Sequence, residues 1–216
     1  SSSFSFSQQY IGDNMNFNIF TNFLYYPGEK PVVNIAAHNY FKEGTIDVKN
    51  YEFDFTIYKI RDVEEFFVKQ KNKNTIDIEG TDTTNLIYLT DEVYSFHKTY
   101  KPKHENGYIY FQDDFPLSLY ENGAYLVKAS YKNKVAYCGL IISKLGVVTK
   151  IGANTILAQI VDRKTGEAIP SANLNFYLSG KKVTTGISKE GGIFYSEFKN
   201  ADNSNDAMLV GHSSDD

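Results

Sequence analysis

The residues of this 216-residue chain singled out because their types could do chemistry are four histidines, a single cysteine and the adjacent aspartates Asp113 and Asp114. His97 and His104 lie in "SFHKTYKPKHENG", a Lys-rich stretch with a proline, read as a surface loop. Helical metal pairs use the closer i and i+4 spacing, so these two are not assigned to a metal. His38, in "AAHNYF", is expected in a strand as an ordinary sheet residue, and His212 lies too near the end of the sequence to be assigned. Asp113-Asp114, in "YFQDDFPLSL", could be drawn as a calcium or glycosidase pair. Adjacent residues on an extended chain point to opposite faces, so a solvated turn is the expected setting. Cys138 is the only cysteine, which excludes an intrachain disulfide and a cysteine zinc cluster. Its apolar neighbours make it a buried small hydrophobe. No Gly-x-Ser-x-Gly, P-loop or dinucleotide fingerprint occurs. No catalytic, cofactor-binding or metal-ligating residue is therefore assigned, and the chain is read as a non-enzyme without a cofactor.

The elements around these residues point to an all-β chain. Hydrophobic residues make up 42% and aromatics 15%, the latter from 17 Tyr and 16 Phe with no Trp. Tyr and Phe favour pleated, half-buried strands. A formal net charge of -4, with both signs mixed along the chain, provides no basic face for a phosphate backbone, so nucleic acid is not expected as a partner. The longest apolar run, "VAYCGLIISKLGVV", is broken at Lys144 and is too short to span a bilayer as a helix. The start, "SSSFSFSQQY", lacks the charged and apolar regions of a signal peptide, which fits a mature chain after cleavage or an engineered start.

Strand signals recur with turns between them. "YEFDFTIYKI" alternates from Tyr51 to Ile60, with Tyr51, Phe53, Phe55 and Ile57 on one face. "ENGAYLVKASYKNKVAYCGLIIS" reads as a hairpin, Ala124 to Tyr131 and Val135 to Ile142, around a Lys132-Asn133-Lys134 turn. Such a pair needs another layer over its apolar face. "RDVEEFFVKQKN" places Val63, Phe66 and Phe67 at helical spacing, although an aromatic pair in a bulge or loop would leave the same trace. The break between units is placed in "SKLGVVTKIGANT", where Gly146 and Gly152 punctuate the chain. That gives a first domain over residues 10–145 and a second over 146–216. The second reads as short strands opening at Thr155, with turns at Lys164-Thr165-Gly166, Gly180 and Gly191-Gly192 and a closing apolar strand in "DAMLVGHSSDD". At roughly 70 residues it would be marginal alone and is expected to lean on a neighbour.

The order of these motifs carries a resemblance. "FPLSLYENGAYLVKAS", "GLIISKLGVVTK", "ILAQIVDRKTGEAIPSANLNFYL", "GISKEGGIFYSEF" and "AMLVGHSSDD" together resemble the N-terminal macroglobulin-like domains of alpha-2-macroglobulin family proteins, especially the bacterial type. Gly123, Tyr125 and Val127 take the family's first strand, and Leu145-Gly146 its junction. Asp162, Thr165, Gly166 and Ile169-Pro170 take the hairpin, and Gly192 the following turn. The similarity covers residues 115–216. Upstream, "YYPGEKPVVNIAAHNY" looks like the Tyr-x-Pro-Gly-Glu opening that such domains repeat.

The resemblance implies two tandem antiparallel β-sandwiches, macroglobulin-like and akin to immunoglobulin or fibronectin III domains. It also implies a role as scaffold in a secreted or periplasmic peptidase inhibitor, with any membrane anchor lying in other parts of the protein. Family members trap peptidases through a cleavable bait region and, in many, a Cys-Gly-Glu-Gln thioester. Cys138 is followed by Gly139, Leu140 and Ile141, so no thioester falls in this segment. The implied partners are peptidases, through the whole protein, and neighbouring macroglobulin-like domains. A competing reading is a cell-surface adhesin or carbohydrate-binding module, with Tyr108 and Tyr110 of "YKPKHENGYIYF" as stacking residues. In "FLYYPGEKPVVNI", Pro27 and Gly28 are expected to open a strand rather than to hold a ligand.

Overall fold

The computed structural model describes residues 15–40, 50–69, 87–105, 107–199 and 207–214. Its strands are β1 (Asn16–Thr21), β2 (Leu24–Tyr25), β3 (Val32–Tyr40), β4 (Tyr51–Ile60), β5 (Thr90–Tyr100), β6 (Lys103–Glu105), β7 (Tyr108–Pro116), β8 (Gly123–Tyr131), β9 (Lys134–Ile142), β10 (Leu145–Ile151), β11 (Thr155–Asp162), β12 (Asn173–Leu178), β13 (Lys181–Ile187), β14 (Ile193–Glu197) and β15 (Ala207–His212). Among the described residues one α-helix, α1 (Val63–Lys69), follows β4. Residues 10–14 of the expected first domain, and 70–72 of the segment with helical spacing, lie outside the described residues.

Four sheets make two sandwiches. The first pairs the sheet β1-β3-β7-β6 with the sheet β2-β9-β8-β4-β5, and the second pairs β10-β11-β14 with β13-β12-β15. Among the described residues all ladders are antiparallel except the two-residue pairing of β2 with β9. The alternation in β4 is realised as expected: Tyr51, Phe53, Phe55 and Ile57 are buried and Glu52 and Asp54 exposed. Phe53 lies at the centre of an aromatic cluster, with ring centroids of Phe17 at 4.9 Å, Tyr131 at 5.1 Å, Phe111 at 5.6 Å and Tyr100 at 5.7 Å. Edge-to-face and offset pairs at these separations add to the area they bury, which is where the Tyr and Phe content is used.

The expected hairpin is β8 and β9, closed by Lys132-Asn133 with Lys132 at φ 54°. Its two faces are both covered. Tyr125, Val127 and Ala129 face the core of the first sandwich, while Ala124 and Leu126 face a smaller cluster with Phe66 of α1 and Leu89. Covering of both faces explains why this strand reads as a near-continuous apolar run. Asp62 caps α1: its Oδ1 accepts the Glu65 N–H at 2.7 Å, and its carbonyl accepts the Phe66 N–H at 3.0 Å.

The second sandwich closes over Ile156, Ala158 and Ile160 of β11 and Phe194 of β14, packed on Leu174, Phe176 and Leu178 of β12. Three local expectations change. "LGVVTKI", read as a junction, is strand β10, paired along its whole length with β11. His97 and His104, expected in a loop, lie in β5 and β6. Asp113-Asp114, expected in a turn, lies inside β7. In each case β-ladder partners outweigh the polar local composition, because strand pairing is decided by distant chain.

Candidate functional site

The chemistry-bearing residues do not converge. His97 Nδ1 is 2.9 Å from Asp54 Oδ1 on an exposed cross-strand pair. His38 lines a cleft of about 650 Å3 beside β1 with Asn16, Asn18, Phe20 and Lys134, and the lining contains no acid, serine or cysteine. Among the described residues no three His, Cys, Asp or Glu side chains cluster as a metal site. Cys138 is buried in β9 as expected. Asp113 and Asp114 do point to opposite faces. Asp113 turns inward and pairs with Lys98 Nζ at 2.6 Å, while Asp114 accepts from Asn34 Nδ2 of β3, also at 2.6 Å. The Lys98 ammonium lies 4.6 Å from the Phe115 ring centroid, so the pair closes the edge of the sandwich. Tyr108 is exposed in β7, and the neighbouring Tyr110 donates its hydroxyl to Glu105 Oε2 at 3.0 Å.

Side chains from distant segments instead converge where the two sandwiches meet. Pro27 and Gly28 occupy the centre of a turn closed by Glu29 N–H to the Tyr26 carbonyl at 2.9 Å, with Gly28 at φ 89°. Positive φ at the third position is the type II geometry that glycine permits. The turn delivers β3, as expected, and it also presents Tyr26 and Glu29 to the second sandwich. The Tyr26 hydroxyl donates to Asp162 Oδ2 at 2.8 Å. The cations of Arg163 and Lys164 lie 5.4 and 5.2 Å from its ring centroid. Glu29 Oε2 accepts the Tyr26 N–H at 2.6 Å and lies 3.5 Å from the Arg163 guanidinium.

Asp162 does two jobs at once. Its Oδ1 accepts the N–H groups of Lys164 and Thr165 at 2.9 and 3.1 Å, an Asx turn that shapes "DRKTG". Its other oxygen takes Tyr26. The Lys164 N–H first, and then the Tyr26 hydroxyl, hold this carboxyl below its ordinary value. Arg163 clasps the connection between the sandwiches: its N–H donates to the Lys144 carbonyl at 2.9 Å and its Nε to the Ser143 carbonyl at 3.1 Å. Ser143 in turn donates its N–H to the Tyr25 carbonyl at 2.9 Å.

A second contact stands apart from the first. Glu64 of α1 accepts from Asn175 Nδ2 of β12 at 2.9 Å and pairs with Lys182 Nζ of β13 at 2.5 Å. Phe66 of the same helix is buried against β8 and β9 side chains, so α1 sits on the first sandwich and reaches the outer face of the second. Tyr26 and Glu29 stand in the stretch expected only to open a strand, and Asp162 in the hairpin that the resemblance assigns, so nothing local in the sequence joins them. Only the Pro-Gly and Lys-Thr-Gly signals marking both turns as exposed hinted at it.

No protein-family model matches the chain, and no curated protein matches it by sequence. Solved structures do match. Native alpha-2-macroglobulin from Escherichia coli spanning domains NIE-MG1 superposes with a TM-score of 0.61 at 14% identity, over 94% of this chain and 96% of that one. The structure of the same protein spanning domains MG0-NIE-MG1 gives 0.61 at 15% identity, over 92% of this chain and 62% of that one, so the chain spans under two thirds of it. At such identity the agreement is one of fold, and it extends to the upstream half, where the sequence motifs were sparse. The chain has the all-β fold of the NIE-MG1 region of a bacterial alpha-2-macroglobulin, the fold that the resemblance over residues 115–216 implied.

Proposed function

We propose that this chain is a scaffold: two macroglobulin-like sandwiches, residues 10–145 and 146–216, of an alpha-2-macroglobulin-like peptidase inhibitor that works outside the cytoplasm, in the periplasm or extracellularly. In this reading the bait and any thioester belong to other parts of the protein, and peptidases are partners of the whole molecule. The observation that carries the reading is the junction. Tyr26 and Glu29 clamp the Asp162–Lys164 turn after β11 while Glu64 holds β12 and β13, two polar anchors that engage one sheet each of the second sandwich. A frame that transmits a rearrangement needs its units held in a set orientation but able to shift as rigid bodies. Polar anchors around separate apolar cores have that character. The fold likeness to the NIE-MG1 region supports the same reading.

The test is inhibition by the chain alone, titrated against serine, cysteine and metallo-peptidases with protein substrates. A scaffold leaves every peptidase active at any molar ratio. Stoichiometric inhibition by these 216 residues would overturn the reading.

A further inference from the structure

The strand that the sequence disguised as a junction, β10, forms one edge of its sheet, and among the described residues no strand pairs with its outer side. Two hydrogen bonds fix which backbone groups face outward. Arg163 N–H to Lys144 C=O and Gly152 N–H to Thr155 C=O bracket the ladder with β11. Residues in an antiparallel ladder alternate between facing the partner and facing away. Residues 146, 148 and 150 therefore bond β11, and Val147, Thr149 and Ile151 turn their N–H and C=O groups to the free edge. Side chains on both faces of this strand are exposed: Val148 at 66%, Ile151 at 47% and Val147 at 45%. Lys150 is its only charge, and it holds neither a proline nor a bulge.

Such an edge is a template for strand addition, and proteins ordinarily blunt it with charge, proline or a bulge. Three of the other edges are blunted. β5 carries Asp91, Glu92, His97 and Lys98, and β13 starts with Lys181-Lys182. Beside β1 the Lys134 ammonium donates to the Met15 carbonyl and Asn16 Oδ1.

We propose that β10 is a self-association edge that takes β10 of a second copy of this chain in antiparallel register, centred on Val148. The sequence of the strand is self-complementary in that register. Val147 falls opposite Thr149 of the second copy, and both present outward N–H and C=O groups, so they form hydrogen-bonded pairs. Val148 meets its own counterpart in the non-hydrogen-bonded position, where side chains approach most closely. Lys150 falls opposite Gly146, and Lys144 opposite Gly152, so no lysine faces a lysine. A shift of the centre to Val147 would set Lys144 against Lys150, which like-charge repulsion disfavours. The two three-stranded sheets then merge into one of six strands. The exposed Leu157, Ile193 and Tyr195 side chains lie on the same outer face as Val148 and extend its apolar strip.

This inference does not rest on the scaffold reading. It is tested by sedimentation equilibrium of the 216-residue chain from low to several hundred micromolar, beside Thr149→Pro and Val148→Lys. The Thr149 N–H points away from β11, so proline there leaves the native ladder intact, as edge strands tolerate. It removes one intermolecular bond per copy, and the dimer should weaken about 30-fold for two bonds of ordinary strength. Val148→Lys should also weaken it, with partial recovery in high salt. Circular dichroism at low concentration should be unchanged for both. A chain that stays monomeric throughout overturns the proposal and leaves the edge to a strand of some other polypeptide. A Thr149→Pro dimer as tight as the unsubstituted one overturns it as well.

Discussion

Single side chains at the sandwich edge and at the junction make opposite demands on protons. Burial first, and then the negative charge of Asp113, push the Tyr100 phenol well above its ordinary value. Burial raises Tyr94 and Tyr125 too. A raised phenol means that the unfolded chain loses its proton first, at about pH 10. The stabilisation is therefore complete below about pH 10 and is lost as pH climbs towards the folded value. Urea unfolding across an alkaline series should show stability falling above about pH 10, and falling less steeply in Tyr100→Phe. An identical slope in that variant would contradict the assignment. Asp162 runs the other way. Its folded value is depressed, so its contribution is present above about pH 4, the unfolded value, and is lost as pH falls through the folded one. In Tyr26→Phe the Asp162 carboxyl should titrate nearer the ordinary range by NMR yet stay below it, because the Lys164 and Thr165 N–H groups remain. No change on losing the hydroxyl would mean that Tyr26 does not hold this carboxylate.

At the scale of elements, what could be read from sequence was what a single strand decides for itself. The period of two in Tyr51–Ile60 and the apolar density of Gly123–Ile142 announced β4, β8 and β9, since one buried face or two leave distinct traces. β10 was hidden because its glycine and the lysines at and just before it read as a linker, and only the ladder with β11 makes it a strand. The junction was hidden for a related reason. Tyr26 and Asp162 lie 136 positions apart, and no local pattern joins two turns across that distance. The helix was half legible: the spacing of Val63, Phe66 and Phe67 suggested it, and the Asp62 cap decides where it begins. Asp62→Ala should cost about 1 kcal/mol in urea unfolding, the usual loss of an N-cap. Gly192→Ala should cost more than an ordinary surface change, at least about 1 kcal/mol. Gly192 sits at φ 71°, and an added Cβ would collide with the Ile160 carbonyl oxygen. Unchanged stability in either variant would show that the cap or the turn is dispensable.

Over the whole molecule, the balance between cores and junction sets how the halves respond to damage. Each sandwich encloses its own cluster of buried side chains, one around Phe53 and one around Phe176. The anchors between them are polar and partly exposed, and pairs of that kind contribute about 0–1 kcal/mol each. Truncating a buried phenylalanine costs about 3–5 kcal/mol, more than any one anchor can return. Phe176→Ala should therefore melt the second sandwich early and leave the first folded, because the smaller unit buries proportionally less surface. Hydrogen exchange should show amides of β11 and β12 losing protection while those of β4 and β8 keep it. Phe53→Ala should have the reverse consequence in the first sandwich and remove the surface on which the second leans, so both sets of amides should exchange. If Phe176→Ala exposed β4 and β8 as readily as β11 and β12, the junction would be as strong as a core and the two sandwiches would be one cooperative unit, unable to turn against each other as a transmitting frame requires.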